Sequence, residues 1–174
     1  MKQLFILLAV GVAAQAAPAA TLVGTVVRIV DGDTLILQPS DDPTGKARPR
    51  IGFVAIDAPD PGQAKCAAAR DGLQHLVGKT VTVADTKPDT TSARTQGRVL
   101  FEGRDIGLDQ VRAGNAWYAR AFASQLALPD QGYYLAAESA ARTERSGIWG
   151  QSPPPTPPWL FRRPKVVASS TACD

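Results

Sequence analysis

The chain has 174 residues, a formal charge of +3 at neutral pH and a sequence pI near 9.1. That length suffices for one domain with its own core, and the mild positive balance permits a polyanionic partner without demanding one. Two cysteines and a single histidine, His75, exclude zinc-finger spacing and any mechanism that needs a pair of histidines.

Residues 1–20 read as a signal peptide. Lys2 supplies a positive start, Leu4 to Val12 is an apolar stretch, and Ala14-Gln15-Ala16 and Ala17-Pro18-Ala19 offer small-x-small cleavage sites. The apolar stretch is too short to span a bilayer, so an exported chain without an anchor is expected, periplasmic or secreted. In an oxidising compartment Cys66 and Cys173 could form one disulfide tying the C-terminal tail to the body; the alternative is two free thiols.

Thr21–Val30 and Thr34–Gln38 are rich in β-branched residues and read as a hairpin across Asp31-Gly32-Asp33, where Asp and Gly tolerate positive φ. A third strand is predicted at Arg50–Ile56, stopped by Pro59. Helical spacing follows from Gln63 to Val77, with Gly78 as a left-handed cap. Val81–Val83 is a short strand, the polar stretch Asp85–Gln96 suits an exposed loop, and Arg98–Glu102 returns to strand. Leu108–Arg112 and Asp130–Arg145 are predicted helices, and residues 151–174 form a Pro-rich, basic, extended tail. Strands, then a helix, strands again and terminal helices describe a small α+β domain.

Most arginines, including Arg48, Arg50, Arg94, Arg98, Arg162 and Arg163, suit a solvated surface, although several could line a phosphate groove. Gly78-Lys79-Thr80 resembles the end of a phosphate-binding loop, but Leu73 stands where its first glycine belongs. An EF-hand loop from Asp31 would need Gly at Ile36 and Glu at Asp42. The carboxylates near Asp31-Gly32-Asp33 and Asp57-Ala58-Pro59-Asp60 remain. Without His or Cys among them, they suggest an all-oxygen site for a hard cation such as Ca²⁺.

The pair Val30-Asp-Gly-Asp-Thr-Leu35 and Ile56-Asp-Ala-Pro-Asp60, in this order and spacing, resembles the staphylococcal nuclease (thermonuclease) family. The resemblance runs from about Val23 to Trp149 and marks residues 21–150 as the domain. It implies an OB-type five-stranded β-barrel with about three helices, and a Ca²⁺-dependent phosphodiesterase acting on DNA and RNA. Cleavage of the 5′ P–O bond, leaving 3′-phosphates, is implied with it. On the family's pattern Asp33, Asp57 and the backbone carbonyl of Ala58 are the metal ligands, and Asp31 shapes the turn.

The catalytic positions depart from that pattern. Asp60 stands where the family usually has Glu as base, and losing one methylene draws the carboxylate back by roughly 1.3–1.5 Å, enough to weaken it. Arg94 matches the second catalytic arginine through its distance to Gly103-Arg104-Asp105, whereas Arg98, which follows Gly97, does not. Ala93 and Thr90 depart from the residues around it. The first catalytic arginine is replaced by Gly52. Arg50 lies on the same strand face, roughly 6.5 Å along it, and is expected to substitute in part. A monomeric nuclease of reduced activity is the leading expectation; a catalytically impaired OB module that binds nucleic acid or another ligand is the alternative.

Overall fold

The computed structural model describes residues 20–42, 44–89, 94–163 and 173. Residues 1–19 of the expected signal peptide, Thr90, Ala93 and most of the tail beyond Arg163 lie outside them. The barrel starts where β-branched residues are densest. β1 (Leu22–Asp31) and β2 (Thr34–Pro39) form an antiparallel hairpin, and Val26, Ile29, Leu35 and Leu37 point inward. β3 (Arg50–Phe53) pairs antiparallel with β2. β4 (Ile56–Asp57) leaves the barrel, and β5 (Thr80–Asp89) then pairs with β1. β6 (Arg94–Phe101) is antiparallel to β5 and meets β3 in parallel, which closes five strands into the expected barrel. Val81, Val83, Val99 and Ile51 complete its interior.

β7 (Arg104–Asp105) turns back to pair antiparallel with β6, and β8 (Trp117–Tyr118) pairs with β4 in a separate ribbon. Four helices are present among the described residues: α1 (Cys66–Asp71), α2 (Ile106–Arg112), α3 (Leu128–Thr143) and α4 (Pro158–Phe161). α2 and α3 cover one end of the barrel through Val111, Tyr134 and Ala137. Their seam is fixed by Asp105, which caps α2 at Leu108 N and accepts from the Tyr134 hydroxyl at 2.9 Å. No described helix is long and apolar enough to cross a membrane.

Four features differ from the sequence expectations. The strand over 50–56 breaks at Val54-Ala55, where Ala55 adopts φ 57°. The helix over 63–77 stops at Asp71 and resumes as a single 3₁₀ turn at Gln74–Leu76. Gly72 lies between them, where an added Cβ would meet Asn115 Nδ2 at 2.6 Å. Within the stretch 85–96 the described residues are strand, for Lys87, Pro88 and Asp89 pair with Gln96, Thr95 and Arg94. Such an arm needs no apolar alternation, which is why its polar sequence reads as a loop. Finally, the tail does not simply extend away. Pro158 is buried, and Trp159 meets Trp117 edge-on at 6.2 Å between ring centroids.

Candidate active site

The turn between β1 and β2 is held from below. Gln110, a buried residue of α2, donates from Nε2 to the carbonyls of Gly32 (2.8 Å) and Ala69 (2.9 Å), clamping the turn to α1. An added Cβ at Gly32 would lie 2.6 Å from Ala69 Cβ and 2.7 Å from Ala58 Cβ, so glycine is needed there for close approach. Gly32 is not among the positive-φ residues, which corrects the reading of a glycine chosen for turn conformation. Asp31 does shape the turn, accepting from Asp33 N at 3.1 Å.

Asp33 is fixed by three contacts. Its Oδ2 accepts from Ala58 N at 2.7 Å, its Oδ1 accepts from the Thr34 hydroxyl at 3.1 Å, and its carbonyl accepts from Phe53 N. The kink at Ala55 turns the chain out of the barrel so that Asp57 comes opposite Trp117 on β8. That ribbon is anchored by Glu138, a buried α3 carboxylate that accepts from Tyr118 N and pairs with Arg120 and Arg142. Asp31, Asp33, Asp57, Ala58 and Asp60 thus line one cleft of about 670 Å³.

Arg94 enters this cleft from the start of β6. Its Nη1 donates to Thr34 Oγ1 at 3.2 Å and stands 4.0 Å from Asp33 Oδ1. Its guanidinium passes over Gly52, where a Cβ would meet Arg94 Nε and Cζ at 3.5–3.6 Å. Arg98 lies elsewhere, bridging Asp105 and Asp130 at the α2–α3 seam. Arg50 is exposed at the start of β3 and is not among the residues that line the cleft. The structure therefore does not bring it to the carboxylates as expected: Arg50 is exposed at the strand's end, whereas Gly52 is buried and lines the cleft.

The cleft instead receives an arginine from the tail. Arg162 Nη2 donates to Asp57 Oδ2 at 2.6 Å, while Nη1 reaches Asp57 Oδ1 at 3.2 Å and the Asp60 oxygens at 3.0 and 3.1 Å. Gln63 joins the same parts of the chain, accepting from Asp60 N and donating to the Thr156 carbonyl at 2.7 Å. Farther along, Cys173 is bonded to Cys66 with a Cα–Cα separation of 5.3 Å, and its carbonyl accepts from Arg70. Sequence reasoning could place Arg162 among candidate phosphate contacts but not in this cleft, because no local pattern encodes a tail folding back. Gln110 and Glu138 were missed altogether; a polar residue among helical apolar neighbours was their only signal.

Burial pushes the Asp33 carboxyl well above its ordinary range, and the charges of Asp31 and Asp57 add to this against the opposing Ala58 N–H and Arg94. Burial likewise raises Asp57, with the Arg162 hydrogen bond opposing. Among the described residues no three His, Cys, Asp or Glu side chains stand together as a ready cage for a metal. The donor chemistry nonetheless fits a hard divalent cation. The carboxylates are all-oxygen donors, and the buried Asp33 is repelled by Asp31 and Asp57 more than Arg94 and the Ala58 N–H offset.

Comparison with known proteins agrees with this geometry. Residues 50–151 match the family model described as "Staphylococcal nuclease homologue". An uncharacterized endonuclease of Escherichia coli O157:H7 is 34% identical over 144 residues, covering 82% of this chain and 86% of its own. The micrococcal nuclease of Shigella flexneri is 30% identical over 156 residues, covering 84% of each. The protein ParB of Escherichia coli is 34% identical over 165 residues, covering 89% of this chain and 88% of its own. With its barrel closed and its acidic turn facing the Ile-Asp-Ala-Pro-Asp segment across one cleft, the chain belongs to the staphylococcal nuclease family.

Proposed function

We propose that this nuclease is exported, periplasmic or secreted, acts as a monomer, and hydrolyses phosphodiester bonds of DNA and RNA with Ca²⁺ as its cofactor. One observation carries the reading: Asp33 and Asp57, 24 positions apart in sequence on separate elements, share a cleft with Arg94. Asp33, Asp57 and the Ala58 carbonyl are the groups that would hold the ion. Bound there, Ca²⁺ supplies a Lewis acid that polarises a phosphate oxygen. Asp60 takes the proton of the attacking water, whose oxygen bonds to phosphorus as the P–O5′ bond breaks. The leaving 5′ oxygen takes up a proton, giving a 5′-hydroxyl and a 3′-phosphate. Arg94, held by Thr34, faces the charge that builds on phosphorus. The shorter reach of Asp60 predicts a slow enzyme.

A second reading is a binding module without turnover, favoured by the guanidinium that holds both oxygens of Asp57. Single-stranded DNA incubated with the mature protein and Ca²⁺, with and without EGTA, separates the two. Cleavage that EGTA stops, and that Asp57→Ala lowers by at least about a hundredfold, is the expected result. Binding without cleavage would establish the module instead.

A further inference from the structure

Among the described residues the cleft is lined by two arginines, one from the barrel and one from the tail. A phosphodiester brings further negative charge to a cleft that already holds four carboxylates, and that charge grows as water adds to phosphorus. Each guanidinium there therefore bears on the rate. Arg162 is placed by several independent contacts: Trp159 against Trp117, the buried Pro158, the Gln63–Thr156 hydrogen bond, and the Cys66–Cys173 bridge farther along.

We propose that Arg162 is a catalytic residue, a guanidinium brought from the C-terminal tail to grip the non-bridging oxygens of the scissile phosphate. The inference rests on the nuclease reading above. In the substrate-free protein its two nitrogens engage the paired oxygens of Asp57, the same forked arrangement that a phosphate offers. The side chain is half exposed, so substrate can reach it. Arg162 occupies both oxygens of Asp57, so a cation taken up by Asp57 would compete with the guanidinium for them. Displaced from Asp57, Arg162 would remain beside Asp60, the group proposed to take the proton of the attacking water. The resemblance to the family implies an arginine at the strand position that is Gly52 in this chain. A Cβ there would meet Arg94 only at ordinary van der Waals distances, 3.5–3.7 Å. The backbone at that position therefore accepts a side chain, and an arginine placed there tests the exchange.

The experiment compares wild type, Arg162→Ala, Arg162→Lys and the double variant Gly52→Arg/Arg162→Ala. It measures kcat on single-stranded DNA with Ca²⁺, and Ca²⁺ binding by calorimetry. Arg162→Ala is expected to lower kcat about a hundredfold while binding Ca²⁺ more tightly, because a competing cation is gone. Lysine should recover only part of the rate, lacking paired donors, and Gly52→Arg should restore much of it. An Arg162→Ala variant as fast as wild type, or faster, overturns the proposal and makes the tail a plug. Loss of Ca²⁺ binding in that variant also overturns it, because the residue would then be supporting the metal site. An inactive wild type sinks the nuclease reading, and this inference falls with it.

Discussion

Asp33 shows what the site costs the fold. Burial and the charges of Asp31 and Asp57 raise its pKa in the metal-free protein, so the folded chain holds a proton that the unfolded chain releases at lower pH. Between the ordinary carboxylate value and the raised one, the folded state binds more protons, and stability therefore falls as pH rises through that window. Above the window the penalty is constant. Asp33→Asn removes the charge and keeps an oxygen that can accept from Ala58 N. It is expected to raise the melting temperature of the metal-free protein by a few degrees at neutral pH and to abolish the fall in stability that Asp33 contributes as pH rises through that window. The same variant should lose the stabilisation that added Ca²⁺ gives the wild type. Thermal melts with EGTA and with Ca²⁺ check both parts; an Asn variant less stable than wild type in EGTA would show that the carboxylate is not strained.

The site depends on how elements meet, and the β1–β2 turn is the clearest case. Its carboxylates face the cleft because Gly32 lets the turn sink between Ala58 and Ala69, where Gln110 grips it. Gly32→Ala places a methyl in contact with two others, and the elements must move apart, at a cost of about 1–3 kcal/mol. Urea unfolding should show that loss, and Ca²⁺ titration a weaker affinity, although no ligand has been altered. The two Asp motifs were legible in sequence because each is local: carboxylates at fixed spacing beside apolar strands. The hairpin of β1 and β2 was legible for the same reason, through its β-branched runs, whereas the closed barrel was implied by the family resemblance that the two motifs carry. The kink at Ala55 was not, since alanine at positive φ leaves no mark in composition. Nor was the arm of β5 and β6, whose solvated faces need no alternation. Arg50 and Arg162 show the limit most directly. Nearness along a strand suggested the first, but the second arrives from 105 residues beyond Asp57.

At the scale of the molecule, the tail is an added layer that binds barrel, ribbon and α1 together. The Cys66–Cys173 bridge closes a loop with a sequence separation of 107, and bridges of this span typically contribute about 2–4 kcal/mol. Cys66→Ala/Cys173→Ala should lower the urea midpoint accordingly. It should also slow DNA cleavage, because Arg162 would then be held only by its near-side contacts; a variant that is less stable but equally fast would show that those contacts suffice. The aromatic seam beneath that tail has a practical consequence. The chain has three tryptophans, and all of them meet there: Trp149 lies 5.8 Å from Trp117, and Trp159 lies 6.2 Å from it on the other contact. Its intrinsic fluorescence is therefore a label-free gauge of whether the tail is seated, recorded in the same cuvette in which ion and DNA are added.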